Sequence, residues 1–141
     1  MSIQAILLPL FVQIALTFGL LVWMGSARIR AIRRGQAQIG NIALGQPNWP
    51  PRVQQISNCY ANQFQLPLLF YVLTSVAIVT HQADIVFITM AWLFVLSRLV
   101  HAYIHTGTNY VRHRFTAFAV GMFILLIMWL IFAVRILMGL S

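Results

Sequence analysis

The stretch RLVHAYIHTGTNYVRHR, which begins inside an apolar segment, holds the residues best suited to chemistry. Four of its cationic or titratable side chains recur at i, i+3, i+7 and i+14: Arg98, His101, His105 and Arg112. This spacing keeps them on one stripe of a helix, provided that the helix continues through Gly107. Such a stripe can hold an anion, and fixed positive charge beside a thiol favours the nucleophilic thiolate.

The composition indicates what must position this stripe. Hydrophobic residues make up 61% of the 141-residue chain and charged residues only 7%, whereas a soluble domain carries about a quarter charged residues. At roughly 20 residues per span, four helices and short loops use nearly the whole length. The sequence therefore predicts an all-α, integral membrane four-helix bundle that forms a single domain over residues 1–141.

The charges are almost all of one sign. All nine basic residues are arginines, and Asp84 is the only acid. Within one chain at most one arginine can pair with a carboxylate, so the others must meet water, lipid phosphates or an anionic ligand. Clustering of arginines at predicted helix ends favours lipid headgroups and argues against nucleic acid as a partner. Cys59 is the single cysteine, so no intrachain disulfide is possible.

The hydropathy pattern predicts four spans, at residues 3–25, 52–80, 85–105 and 115–137. Two arginine-bearing loops, at residues 27–35 and 106–113, follow the first and third spans. By the positive-inside rule both loops are cytoplasmic, and both termini are then on the other side. The expected location is a lipid bilayer crossed several times, with the stripe near its cytoplasmic face.

The second predicted span carries four amides on one helix face. They recur at +3, +4 and +3: Gln55, Asn58, Asn62 and Gln65. Amides are costly against lipid, so this face should point into the bundle or a subunit interface. Either the amides tie helices together or they line a polar pocket, and both interpretations stay open here. Pro67 should bend the helix just beyond them.

The stripe has several other interpretations. Arg98 could snorkel to the interface, but His101 and His105 on the same face would then meet lipid with it. An i, i+4 histidine pair can chelate a metal or haem, but the third ligand is missing, so no metal site is predicted. A proton-coupled exporter needs an acid within a span, and none of the four predicted spans contains one. What remains is a cationic pocket, open to lipid on its flanks, for an amphiphile or for an anion that meets a lipophilic molecule.

These residues resemble the MAPEG family, the membrane-associated proteins of eicosanoid and glutathione metabolism, in a bacterial-type form. The family pattern in the third helix is Arg, His or Tyr at +3, Tyr at +7 and Arg at +14. Its second-helix pattern is Arg-x3-Asn-x2-Glu followed by a proline, where this chain has Asn58-x3-Asn62-x2-Gln65 and then Pro67. The motifs lie from about Arg52 onward, and the four-span layout matches throughout.

The resemblance implies a homotrimer in a bacterial inner membrane, with glutathione as co-substrate held between neighbouring subunits. It implies that Arg98 anchors a glutathione carboxylate, that Arg112 stabilises the thiolate, and that Asn62 contacts the peptide. Arg114 is a close substitute for Arg112, since the loop register is open. The remaining predicted binding residues lie on the same two helices: Arg52, Asn58, Gln65, His101 and His105.

Three positions depart from the family pattern. Asn58 replaces an arginine, Gln65 replaces a glutamate, and His105 replaces a tyrosine. Two functions are therefore expected as alternatives. One is a glutathione-dependent transferase or peroxidase that acts on lipophilic substrates. The other is a non-catalytic protein of the same fold that binds a lipid headgroup or another anionic amphiphile.

Overall fold

The computed structural model describes residues 1–139, and this range is helical apart from its connectors and ends. The α-helices are α1 (Ile3–Arg33), α2 (Pro51–Asn62), α3 (Leu66–Val79), α4 (Ile85–Thr106) and α5 (Val111–Leu137), with a 3-10 turn at Ile39–Asn41. Four stretches are long and apolar enough to cross a membrane, and α2 with α3 forms the second of them. The prediction of an all-α membrane protein with four spanning segments is confirmed.

Helix α1 is longer than the span predicted for it. It begins after Ser2, whose hydroxyl accepts a hydrogen bond from the Ala5 N–H at 3.2 Å, as an N-capping serine does. It then continues beyond Gly25, the predicted end, to Arg33. Alanine and arginine are good helix formers, and the arginines here carry the helix out of the apolar region. The first basic segment is thus the end of a helix rather than a loop.

Pro67 breaks the second span instead of only bending it. Helix α2 ends at Asn62 and α3 begins at Leu66, and the N–H groups between them bond three residues back rather than four. Gln65 has a non-helical backbone, with φ −97° and ψ −104°. A proline at the second position of α3 fits this break, because its missing N–H lies in a first turn that lacks intrahelical acceptors.

Helix α4 lies in the middle of the bundle and packs against α1, α2 and α5. The Phe70 ring on α3 stacks on the Phe94 ring of α4 with centroids 4.9 Å apart. Gly121 lets α5 approach α4 closely, since a Cβ there would lie 2.8 Å from the Ser97 hydroxyl oxygen. This close packing holds α4 rigidly, together with the arginine and histidines that it carries.

The end of the bundle near Asp84 is closed by an ion pair between α4 and α5. The Asp84 carboxylate lies 2.8 Å from the Arg135 guanidinium and accepts the Phe87 N–H at the start of α4. Partial burial alone would raise the pKa of Asp84, but the Phe87 N–H and the Arg135 charge outweigh it and hold the pKa below its ordinary value. The only acid of the chain is thereby committed to Arg135.

Candidate functional site

Arg98 is fully buried, with 0% of its surface exposed. Its Nη2 donates to the Asn62 side-chain oxygen on α2. Its Nε and Nη1 are buried and have no partner among the described residues. A buried cation that keeps unpaired donors is costly, by several kcal/mol before compensation, at about the scale of ion desolvation. The interpretation of Arg98 as a snorkelling residue does not fit this position, because its side chain points into the bundle.

The histidines lie on the same face of α4 as Arg98, as their spacing predicts. His101 and His105 are both buried, and their ring centroids are 5.3 Å apart. The Nδ1 atom of each is buried without a partner in the described part of the chain. No group of three or more possible metal-ligating side chains occurs within residues 1–139. The imidazoles therefore keep hydrogen-bonding capacity for a group that enters from outside.

The helix does not continue through Gly107, which was the condition for a stripe from Arg98 to Arg112, and α4 ends at Thr106, close to the predicted end of the third span. Gly107 follows the last helical residue, and a Cβ there would lie 2.8 Å from the Tyr103 carbonyl oxygen. Asn109 then adopts a left-handed backbone, with φ +52°, which asparagine tolerates. Arg112 is consequently on α5, where its side chain is exposed.

An open cavity of about 420 Å³ lies between α2, α4 and α5, next to Arg98. Its polar lining is Asn58, Asn62, Gln65, His101, His105 and Arg114. Four apolar residues complete it: Ala61, Val111, Phe115 and Phe118. Six of the predicted site residues are thus brought together in one cavity. Arg114 is the arginine at its edge, and Arg112 does not line it.

Arg98 fixes the direction of the hydrogen bonds that cross the cavity wall. A guanidinium only donates, so Asn62 must turn its oxygen toward Arg98 and its NH2 away. The Asn62 NH2 donates to the Gln65 side-chain oxygen at 2.9 Å. The amide NH2 of Gln65 is then directed away from this chain of bonds. Arg98 itself does not line the cavity and is separated from it by Asn62.

The carbonyl groups at the end of α4 are taken by side chains of α2. Arg52 donates to the Thr106 carbonyl oxygen. The Gln55 NH2 donates to the carbonyl oxygens of His105, at 2.8 Å, and Gly107, at 3.0 Å. A helix end has carbonyl groups without intrahelical partners, and these bonds satisfy them. Arg52 and Gln55 thus join helices, as one interpretation of the amides expected, while the other amides line the pocket.

Arg114 is held at the edge of the cavity by the connector before α5. Its Nη1 donates to the Asn109 side-chain oxygen at 2.7 Å, and its side chain is half-buried. The left-handed turn at Asn109 therefore positions the guanidinium beside the two histidines. The chain supplies no carboxylate to this guanidinium, because Asp84 lies at the opposite end of α4.

A contact between two buried glutamines, Gln13 and Gln63, was not predicted from the sequence. The Gln13 Nε2 on α1 donates to the Gln63 side-chain oxygen at 2.9 Å, and Gln63 in turn donates to the Cys59 carbonyl at 3.0 Å. Both side chains are almost completely buried. Gln13 was noticeable as a strong polar group inside an apolar span, but Gln63 lies off the predicted amide face. The pair anchors α1 to the helix break.

Together these features define a multi-pass helical membrane protein with a cationic, amide-lined cavity at one end of its bundle. The sequence model of the MAPEG family matches residues 6–134. The chain therefore belongs to the MAPEG family, the membrane proteins of glutathione and eicosanoid metabolism, and the predicted membership is confirmed. Neither a curated protein nor a solved structure matches the chain significantly.

Proposed function

We propose that this protein is a membrane-embedded, glutathione-dependent transferase or peroxidase that acts on lipophilic substrates. The observation that carries the proposal is the cavity in which Arg114, two buried histidines and three amides converge beside the buried Arg98. All these groups suit an anionic peptide thiol, and no carboxylate of the chain competes for them. The proposal also includes a homotrimer and a cytoplasmic position for the cavity, as the family resemblance implies.

In this proposal the tripeptide lies against the amides, and its thiol lies near Arg114. The guanidinium charge stabilises the thiolate, which is the nucleophile. Apolar side chains at the cavity edge give the second substrate its path from the bilayer. Val111 and Phe115 are 62% and 69% exposed, so a lipophilic molecule can reach the thiolate across them without crossing water.

Two reactions are open to such a thiolate. In conjugation the sulfur attacks an electrophilic carbon, a C–S bond forms, and the leaving group departs with the electron pair. In peroxide reduction two thiols reduce one hydroperoxide, and the products are a disulfide, an alcohol and water. Both reactions need the thiol proton to be released, which the positive charge of Arg114 favours.

Arg114→Ala tests the role of the arginine. Purified protein in lipid nanodiscs is assayed with glutathione against a chlorinated dinitrobenzene and a fatty-acid hydroperoxide. We expect kcat to fall about 100-fold, the scale on which a single charge-stabilising donor contributes. The ultraviolet absorbance of bound thiolate should disappear at the same time, which a purely structural role would not require.

Arg34→Ala is the matched control, because it removes an exposed arginine at the end of α1 and should keep native turnover. Arg112→Ala is a further arm. A larger loss in that variant than in Arg114→Ala would show that Arg112 activates the thiol, for example from a neighbouring subunit. Native turnover in both Arg114→Ala and Arg112→Ala would overturn the proposed mechanism.

The second candidate function is a non-catalytic protein that holds an anionic amphiphile in the same cavity. It is favoured by the position of Arg98 behind Asn62, which keeps the guanidinium from contacting a ligand directly, and by the three departures from the family pattern. It predicts no turnover with any thiol, together with binding of a short-chain anionic phospholipid that Arg114→Ala abolishes. Detectable conjugation by the native protein would exclude it.

A further inference from the structure

The cavity has no acidic side chain in its lining, whereas a zwitterionic ligand needs an anionic partner for its ammonium group. Glutathione carries two carboxylates and one ammonium group, and an ammonium requires acceptors. We infer that the cavity is built for an anionic thiol that has no ammonium group. This inference rests on the proposed function for the thiol chemistry, but it assigns as the preferred co-substrate an anionic thiol that lacks the ammonium group of glutathione.

The first support is that the one acidic side chain of the sequence lies far from the cavity and already has a partner. Asp84 is the only acidic side chain in the sequence, and it is paired with Arg135. It precedes α4, and His105 lies near the other end of that helix, about 30 Å away at roughly 1.5 Å per residue. Another copy in an assembly would bring the same chain with the same single acid. An ammonium group in the cavity therefore has no acidic side chain as a partner in a homo-oligomer whose subunits lie side by side in the same orientation.

The second support is that each of the three amide oxygens of the cavity already accepts a hydrogen bond from another side chain. Arg98 takes the oxygen of Asn62, and the NH2 of Asn62 takes the oxygen of Gln65. The oxygen of Asn58 accepts from the Gln54 NH2 at 2.7 Å. Because arginine can only donate, the direction from Arg98 through Asn62 to Gln65 does not depend on how the amides are assigned. The NH2 groups of these amides can donate to a carboxylate but cannot accept from an ammonium, and their neutral oxygens are weaker acceptors than a carboxylate.

The third support comes from the end of α4, where free carbonyls would otherwise attract a cation. The Thr106 carbonyl accepts from Arg52, and the carbonyls of His105 and Gly107 accept from Gln55. The negative end of the helix is thus covered by donors. The charges that remain close to the cavity are those of Arg98 and Arg114, and both oppose an ammonium.

The test compares glutathione with glutaryl-Cys-Gly, the same tripeptide without its α-amino group. Binding of each to the native protein is measured by calorimetry in nanodiscs, and conjugation is measured with the chlorinated dinitrobenzene. We expect the amine-free peptide to bind at least about tenfold more tightly than glutathione, a difference of about 1.4 kcal/mol. Tighter binding of glutathione, or binding of neither peptide, would overturn the inference.

Gln65→Glu supplies the missing acid without losing the bond from Asn62, because a carboxylate also accepts. We expect this variant to reverse the order, so that glutathione binds more tightly than the amine-free peptide. Gln38→Glu is the matched control. Its side-chain oxygen also accepts from an asparagine three residues away, Asn41, but it lies on an exposed connector. The same reversal in the control would count against a local effect in the cavity and overturn the inference.

The two measurements separate this inference from the proposed function. Turnover with a preference for glutathione would keep the proposed enzyme and overturn the charge selectivity. Tighter binding of the amine-free peptide without turnover of either thiol would keep the selectivity and exclude the enzyme. The serine analogues of both peptides, which have no thiol, should show the same binding order, because the preference depends on the ammonium group.

Discussion

Arg98 is a buried charge beside the cavity, and few groups of the fold compensate for it. An arginine at the centre of a bilayer costs about 2.5–3.5 kcal/mol on insertion scales. Arg98 is completely buried, yet its one side-chain partner is a neutral amide and two of its nitrogens have no partner among residues 1–139. The fold therefore retains a charge that contributes little to its own stability. In the proposed function Arg98 orients Asn62 and adds positive potential beneath the cavity.

Arg98→Met tests whether this charge serves function rather than stability. Replacing a buried charge by an apolar side chain of similar length is often neutral or stabilising by about 1–4 kcal/mol. We expect the free energy of unfolding in mixed micelles to be kept or raised, while the affinity for the peptide thiol falls. A loss of more than about 3 kcal/mol would show that Arg98 is a structural residue.

Asn62→Leu is the contrasting variant at the same contact. It leaves the Arg98 charge buried without its amide partner, so it should destabilise the protein by about 1.5–3 kcal/mol, the range for a hydrogen bond to a charged group. Equal stabilities of the two variants would contradict the account given for this pair. The same unfolding titration measures both.

Helix ends, rather than helix faces, decide how the elements form the site. The end of α4 at Gly107 separates the histidines from Arg112 and lets the connector present Arg114 instead. The break between α2 and α3 places Asn62 beside Arg98. At the other end of α4, Asp84 begins the helix and holds α5 through Arg135. Each of these ends depends on one residue that cannot continue a helix or that caps it.

The ion pair between Asp84 and Arg135 makes stability depend on pH. The pKa of Asp84 is lowered in the folded state. The carboxylate therefore makes its full contribution to stability above the pKa of an aspartate in the unfolded chain, about 3.9. This contribution is lost as the pH falls through the lower folded value. Asparagine is also a good helix N-cap, so Asp84→Asn removes the charge and keeps the cap. At pH 6 the free energy of unfolding of the native protein should exceed that of Asp84→Asn by at most about 1 kcal/mol, since Asp84 is 43% exposed.

Thermal unfolding of both proteins at pH 6 and at pH 3 measures the effect. The difference between them should shrink at the lower pH, where the native carboxylate gains its proton. Arg135→Gln is the control for the partner, and it should reproduce the shift. A difference that stays constant with pH would contradict a role for the ion pair.

At the scale of the whole molecule, much of the apolar surface is left uncovered. Only 22% of the most apolar window of α1 and 17% of that of α5 are buried. In a bilayer this surface meets acyl chains or other subunits. The cavity also opens beside exposed apolar residues of α5, so an adjacent subunit could cover part of its mouth. The proposed assembly has three subunits, as the family resemblance implies.

We expect native mass spectrometry of the detergent-released protein to show three copies of the chain as the main species. The physical reason is that helix faces rich in small and apolar residues pack closely in a membrane. Dilution in detergent should separate the subunits and reduce thiol affinity in parallel if a neighbour completes the cavity. A monomer that binds the thiol with full affinity would contradict the trimeric site.

Much of the architecture could be predicted because it depends on composition and local pattern. Long apolar stretches in a chain with few charges must cross lipid as helices, since lipid cannot satisfy backbone polar groups. The positions of Arg98, His101 and His105 on one buried face followed from helical spacing. Three of the four predicted amides, Gln55, Asn58 and Asn62, lie on α2, whereas Gln65 lies in the break before α3. A disturbance of the chain at Pro67 was also predicted.

Other features were decided only by the tertiary structure. The end of the third span was predicted to within a residue, but helical spacing gives no direction for side chains beyond a helix end, so it could not choose Arg114 over Arg112 as the arginine at the cavity. It could not show that Arg98 lies behind Asn62, because that contact joins helices far apart in sequence. Helical periodicity determines which face a side chain occupies, whereas the partner of that face depends on how separate helices pack. The sequence alone determined that the chain has one acid and many arginines, and the tertiary structure placed Arg114 at the edge of the cavity and Arg98 behind Asn62.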